Sequence, residues 1–250
     1  MVFITGASSG IGAATARGFA RKGKALFLAA RRIDRLEKMA AEFKRELAVE
    51  VHAAELDVRD TAAIEAFARL HEGLLARTTI LVNSAGLAKG LDPLQTGKPD
   101  DWDAMFDTNV KGLLHVTRAV LPHFLEKNEG HIVNLGSVAG RWVYPKGNVY
   151  CASKHAVHAL SQALRIDLAG TRIRVTEISP GMVETEFSVV RLGDEKKAKD
   201  VYAGMKPLTG EDIAEAILWS TGLPPHVNIQ EIVLFPTDQA TPSTVTRRGT

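Results

Sequence analysis

The segment Val2-Phe-Ile-Thr-Gly6-Ala-Ser-Ser-Gly10-Ile-Gly12, followed by the helical run Ala13 to Arg21, decides how this 250-residue chain is read. Val2 to Thr5 is a short apolar strand that enters a turn with three glycines, and a helix follows. Such a turn lets the backbone approach a pyrophosphate closely, and the helix N-terminus offers free N–H groups and a positive dipole end. Ser8 and Ser9 add hydroxyl donors. Gly6, Ser8, Ser9, Gly10, Ile11 and Gly12 are therefore the expected phosphate cradle. The spacing is Gly-x-x-x-Gly-x-Gly, not Gly-x-Gly-x-x-Gly, so as a bare pattern it also suits a plain tight turn. The strand before it and the helix after it favour a ligand site.

Working outward, Ala25 to Ala30 is a second apolar strand, ending at Arg31-Arg32 with no acid until Asp34. An acidic residue here would hydrogen-bond the ribose hydroxyls of NAD, whereas arginine suits a 2′-phosphate. Arg31 and Arg32 point to NADP(H), against the simpler reading that they begin the solvated helix Ile33 to Leu47. Val49, Val51 and Ala53 alternate as a strand that ends in Leu56-Asp57-Val58. Asp57 either accepts the adenine amino group, with Val58 beside it, or caps a helix from about Asp60 to Leu75. Thr79 to Val82 is a fourth strand, followed by Asn83-Ser-Ala85-Gly86, small residues against which a ligand can lie. Asn83 can fix this loop through its amide. Strand and helix alternate in the way that builds a parallel sheet covered on both faces. No linker marks a boundary, so residues 1–250 are expected to form one domain.

Further on, Asp100-Asp101 begins a long helix toward Asn128, with Asn109 and Gly112 weakening its middle, where a kink is expected. His131 to Leu135 forms a fifth strand and delivers Ser137. Gly147 and Asn148 then open a helix that continues to about Ala169. On it Tyr150 and Lys154 stand four residues apart, which puts both side chains on one face. A phenol, an ammonium and a hydroxyl on one site suit proton transfer to a carbonyl oxygen. A fixed cation favours the phenolate of a tyrosine whose ordinary pKa is about 10. Ala152, Ala156, Ala159 and Ala163 make a stripe of small residues on another face, fit for the protein's own sheet or a partner helix. Arg172 to Ile178 is the sixth strand, and Pro180-Gly181-Met-Val183-Glu-Thr185 leaves the sheet at its ligand edge. Residues 184–207 read as a lid. Thr209 to Trp219 is a helix and Ile229 to Phe235 a last strand. Residues 237–250 carry no core pattern, as in a frayed tail or an oligomer arm.

A net charge of +2 without charged blocks gives no reason to expect nucleic acid, and no apolar run reaches the ~20 residues of a membrane span. Cys151 is the sole cysteine, so there is neither an intrachain disulfide nor a cysteine metal cage; it reads as a small buried residue. No metal is expected, and with no signal-peptide pattern at the N-terminus the expected location is cytoplasmic.

Thr5-Gly-Ala-Ser-Ser-Gly-Ile-Gly12, Asn83-Ser-Ala-Gly86, Asn109, Ser137, Tyr150-Cys-Ala-Ser-Lys154 and Pro180-Gly181 together resemble the short-chain dehydrogenase/reductase family across nearly the whole chain. Ser84 stands where that family more often has a second asparagine. Asp101 to Pro122, Gly147-Asn-Val-Tyr150, Thr185-Glu-Phe-Ser188 with Arg191, and Leu223 to Ile229 look most like its bacterial NADP-dependent 3-hydroxy acid (serine) dehydrogenases. The resemblance implies a Rossmann-type doubly wound α/β fold of about seven parallel strands, a homotetramer or dimer, and a small-molecule substrate oxidised at CH–OH with NADP. Asn109, Ser137, Tyr150 and Lys154 would be its catalytic tetrad. In it Tyr150 is the acid/base, and Lys154 binds the nicotinamide ribose and biases Tyr150. Ser137 orients the carbonyl oxygen, and Asn109 holds a proton-relaying water. Asp57, Val58, Asn83, Ala85, Gly86, Pro180, Gly181, Val183 and Thr185 would join the cradle, Arg31 and Arg32 around the cofactor. An acidic substrate needs a cation, for which Arg191 is preferred over Arg141 and Lys146. Sulfoacetaldehyde or general carbonyl reduction, and a binding-only NADP sensor, are the competing readings.

Overall fold

Successive side chains of a strand point to opposite faces, and in β1 (Val2–Thr5) that alternation serves two cores. Val2 and Ile4 join one cluster with Leu26 and Leu28 of β2 (Leu26–Ala30), covered by α1 (Gly10–Arg21), α2 (Ile33–Leu47) and α10 (Gly210–Thr221). Phe3 and Phe27 point the other way and stack on Phe67 of α3 (Thr61–Leu70), with centroids 4.8 to 5.8 Å apart. Each buried ring of this kind contributes roughly 1.5–3 kcal/mol of transfer free energy. A sheet needing both faces covered is the α/β solution, and the computed structural model shows it over residues 1–248.

The remaining strands are β3 (Val51–Glu55), β4 (Ile80–Asn83), β5 (Gly130–Leu135), β6 (Ile173–Pro180) and β7 (Glu231–Leu234). All seven run parallel in the order β3-β2-β1-β4-β5-β6-β7. Strand order therefore reverses between β1 and β4, where Thr5 lies opposite Asn83. The crevice beyond the carboxyl ends at such a switch point is where open α/β sheets bind ligands.

Several boundaries differ from the sequence reading. The helix expected from Asp60 to Leu75 is two, α3 and α4 (Glu72–Arg77), broken at His71, whose ring packs on Phe27 and Phe67. The long helix toward Asn128 is α5 (Pro99–Phe106), a π-helical turn Asp107–Gly112, and α6 (Leu113–Lys127). The expected kink at Asn109 is thus a change of hydrogen-bond register. The last strand is shorter at both ends than expected; on the N-terminal side Asn228 takes over the ladder with its side chain, accepting from Val175 N–H and donating to Val175 O. Two short helices, α8 (Phe187–Leu192) and α9 (Glu195–Asp200), occupy residues 184–207.

The tail departs most from expectation. Gln239 is buried and accepts from Met182 N–H, and Asp238 accepts from Lys206 N–H. Arg247 donates to Val201 O and Ala203 O, and Arg248 N–H to Gly204 O. Residues 237–248 therefore fold back on the segment after α9 instead of fraying or projecting as an arm; Gly249 and Thr250 lie outside the described residues.

Candidate active site

α7 (Asn148–Asp167) brings Tyr150 and Lys154 to the carboxyl edge of the sheet, and β5 brings Ser137. One cavity of about 330 Å³ at the β1/β4 switch point is lined by all three. Gly6, Ser8, Ser9, Gly10, Ile11, Arg31, Arg32, Asp57, Val58, Ala85 and Gly86 line it as expected, as do Pro180, Gly181, Val183 and Thr185. Gly12 and Asn83 do not. A Cβ on Gly12 would meet Gly6 O at 2.5 Å, so its smallness lets the helix start close against the turn. Gly6 has φ +65°, and a Cβ there would lie 2.8 Å from the Ala85 backbone. Asn83 lies beneath the site, where its amide donates to Thr117 Oγ1 and Asn134 Oδ1, each at 2.9 Å.

Asn109 also serves a framework role. Its Oδ1 accepts from Leu87 N–H and its Nδ2 donates to Leu87 O, both at 2.8 Å, with Ser153 Oγ at 3.0 Å. The side chain pins the loop after β4 through these three bonds. Lys154 is buried and donates through Nζ to Leu135 O at 2.7 Å. Burial pushes its ammonium down to about 8, with the Glu177 charge opposing. Burial likewise holds the Tyr150 phenol well above its ordinary value, while hydrogen bonding with Ser137 and the charge of Arg191 pull it down. The charge of Arg191 thus reaches Tyr150 from α8, while the Lys154 ammonium, on the same helix as Tyr150, donates to a backbone carbonyl. The Ser137 hydroxyl also makes a long bond, 3.4 Å, to Pro180 O, and accepts from Ala139 N–H.

Arg191 of α8 lies over the Tyr150 ring at 5.4 Å and the Tyr144 ring at 5.6 Å. Its Nε donates to Gly90 O and its Nη1 to the Tyr144 hydroxyl at 2.9 Å. A side pocket joins Arg191, Tyr150 and the exposed Lys146. Arg141 is withdrawn as a substrate cation, because it turns away to pair with Glu231. Cys151 is buried and its thiol is pushed up by burial, as befits a packing residue. Sequence reasoning missed Tyr144, Gly136 and Glu186. A Cβ on Gly136 would run into Glu177, and no local signal announces that.

The cleft fits a dinucleotide on its own terms. The turn tolerates no Cβ at Gly6 or Gly12, and no carboxylate stands at the end of β2. Arg32 donates instead to Ser8 Oγ and Ser9 Oγ, a cationic and hydroxyl cluster suited to a 2′-phosphate. The short chain dehydrogenase family model matches residues 1–196. The chain belongs to the short-chain dehydrogenases. Its relatives include sulfoacetaldehyde reductase 2 of Chromohalobacter salexigens, 48% identical over 242 residues, 96% of this chain and 95% of that one. The NADP-dependent 3-hydroxy acid dehydrogenase YdfG of Escherichia coli K12 is 46% identical over 242 residues, covering 96% of each. Among solved structures, the closed form of serine dehydrogenase complexed with NADP+ superposes with a TM-score of 0.91 at 44% identity, covering 99% of both chains. As a short-chain dehydrogenase, the chain is an NADP-dependent oxidoreductase acting on hydroxyl groups. Among the described residues no helix is long and apolar enough to cross a membrane.

Proposed function

We propose that this short-chain dehydrogenase interconverts a small 3-hydroxy acid, of the serine, 3-hydroxypropionate or 3-hydroxyisobutyrate type, and its oxo acid or semialdehyde. The observation that carries the reading is Arg191, a guanidinium placed over Tyr150 and bonded to Tyr144. With the substrate oxygen at Tyr150 and Ser137, a short molecule reaches Arg191 with its other end only if that end is close by, as in a three-carbon acid. Among the described residues the second terminal nitrogen of Arg191 has no hydrogen-bond partner, which leaves donors for an anion. The Tyr144 phenol, held above its ordinary pKa by burial, can donate beside it.

NADP(H), when bound, supplies the hydride chemistry. The residues around it position and move protons. Tyr150 donates its phenolic proton to the carbonyl oxygen during reduction and recovers it during oxidation. Ser137 exchanges its weak bond to Pro180 for one to the same oxygen. Lys154, next to Gly86 and Tyr150, holds the nicotinamide ribose hydroxyls. Asn109 fixes the loop that forms the opposite wall. Residues 184–207 act as the lid, docked through the mutual Arg191–Gly90 backbone and side-chain bonds.

Tyr150→Phe should lower turnover by about 10²–10⁴-fold with NADPH affinity nearly intact; near-normal turnover would remove Tyr150 from the chemistry. Arg191→Met should raise KM for 3-hydroxy acids far more than for an uncharged alcohol, and equal effects on both would take Arg191 out of the substrate site. A sulfonate is recognised by the same cation, and the 48% identity to a sulfoacetaldehyde reductase favours that second reading. A panel of L-serine, 3-hydroxypropionate, 3-hydroxyisobutyrate and sulfoacetaldehyde separates the two, and a binding-only sensor would turn over none of them. We further infer a cytoplasmic homo-oligomer, tetramer or dimer, assembled through the outer faces of α6 and α7, where an apolar groove runs between Leu114, Leu121, Leu125, Leu160 and Leu164.

A further inference from the structure

The mouth of the cofactor cleft has two walls. One is the glycine turn with the start of α2; the other is Thr185, Glu186 and the first turn of α8. Glu186 joins them. Its Oε2 accepts from Arg32 Nη1 at 2.8 Å and its Oε1 from Arg35 Nη1 at 2.6 Å. Arg32 meanwhile donates Nε to Ser8 Oγ at 3.2 Å and Nη2 to Ser9 Oγ at 2.7 Å. The result is a continuous bridge from the phosphate turn, through Arg32, to the residue that opens α8, with Arg35 of α2 as a second anchor. The next residue, Phe187, packs edge-on against the Tyr150 ring at 5.7 Å.

We propose that Glu186 is a retaining latch: by bridging Arg32 and Arg35 it holds the start of the lid down across the phosphate end of the cleft and slows release of NADP(H). The inference rests on the reading of residues 184–207 as a lid and is independent of the substrate. A carboxylate at this place could instead compete with the 2′-phosphate for the same arginines. Donor counting favours the latch. A guanidinium has five N–H donors, and the Ser8, Ser9 and Glu186 bonds use three of those on Arg32. Arg31 is exposed at the cleft and forms no side-chain bond among the described residues, so it serves the phosphate too. Arg35 does not line the cleft, and among the described residues its side chain bonds only Glu186. An arginine with no cofactor to hold has its use in holding the lid.

The test is the rate of NADPH release, followed by reduced-nicotinamide fluorescence during a chase with excess NADP+, for wild type, Glu186→Gln, Arg35→Gln and the double variant. The three ionic side chains are 41–44% exposed, so solvent screens each contact. Two such partly screened contacts set the expected acceleration at about three- to tenfold in Glu186→Gln, and at about two- to threefold in Arg35→Gln, which breaks one of them. The double variant should be no faster than Glu186→Gln, because Arg35 has no other partner among the described residues. NADH release should accelerate by the same factor, since the latch does not touch the 2′-phosphate, and added salt should speed release from wild type more than from the variants. Arg35→Lys, which keeps a cation on Glu186, should retain slow release; this controls for a general effect of substitution at that position. Unchanged release in Glu186→Gln and Arg35→Gln overturns the latch, and so does tighter NADPH binding by Glu186→Gln, the mark of a competitor for the phosphate. Hydrogen exchange of residues 184–207 with and without NADP+ tells the two failures apart. If only the latch is wrong, the cofactor still protects the segment in wild type and variants alike; if the lid reading is wrong, it protects neither.

Discussion

At the scale of single residues, the site is built from groups kept away from their ordinary ionisation, and Lys154 shows the cost. Its pKa in the fold is about 8 against 10.5 for an unperturbed lysine. Between these values the unfolded chain binds a proton that the folded chain does not, so stability rises with pH across that window. Below about pH 8 the buried charge costs the fold about 3 kcal/mol relative to pH 10.5, at 1.36 kcal/mol per pKa unit. Lys154→Met removes this titration. Denaturant unfolding from pH 7 to 10.5 should show wild type gaining about 3 kcal/mol on the variant over that range; a constant difference would mean the ammonium is better solvated than its burial indicates. Tyr150 and Lys154 were legible in the sequence because helical spacing alone puts them on one face. The pull of Arg191 on Tyr150 was not, since Arg191 reaches it from a different element 41 positions along the chain. Glu186 was hidden for the same reason: its partners Arg32 and Arg35 lie 154 and 151 positions away.

At the scale of elements, the glycine turn carries a prediction of its own. Gly12 touches no cofactor surface, yet it stands where a methyl group would lie 2.5 Å from Gly6 O, a backbone atom with little freedom to yield. Gly12→Ala should therefore push α1 away from the turn, lowering NADPH affinity at least tenfold (~1.4 kcal/mol). It should also lower stability by about 1–3 kcal/mol. Fluorescence titration and thermal unfolding measure the two, and an unchanged affinity would show that the turn adapts. The strand–turn–helix unit was readable because local residue types dictate it. The break at His71 was not, because the apolar pattern runs through it and only the Phe27 and Phe67 rings make that histidine a helix end. The π-turn at Asp107–Gly112 is intermediate. Asn109 and Gly112 signal a weak point, but the register shift depends on Asn109 reaching Leu87 and on Gly112 packing against Val58, where a Cβ would be 2.7 Å from Cγ2.

At the scale of the whole molecule, the parallel sheet explains which helix faces are left over. Both faces of the sheet are covered within the chain, and α6 and α7 present their inner sides to it through Val116, Val120, Phe124 and Val157. Their outer sides stay apolar, with Leu114 at 42%, Leu125 at 47% and Ile166 at 68% exposure. The stripe of small residues on α7 adds to this, since Ala152, Ala159 and Ala163 are exposed and only Ala156 is half-buried. Of the two uses that the sequence left open for that stripe, packing on the protein's own sheet is excluded. Contiguous apolar surface of this kind marks an interaction site, and small side chains let a second helix pair approach closely. A two-fold interface would place α6 and α7 against their own copies, burying the groove between Leu121 and Leu164. Leu125→Arg with Ala163→Arg should then leave the fold intact, because neither position faces the core, and reduce the assembly by at least one dissociation step. Sedimentation velocity reads the change directly, and circular dichroism checks the fold. Wild type sedimenting as a monomer, or variants keeping the wild-type mass, would refute assembly through this face. Tyr150 and Lys154 lie on the same helix, so a dissociated variant with reduced turnover but normal NADPH release would show that the neighbouring subunit steadies α7 and not the lid.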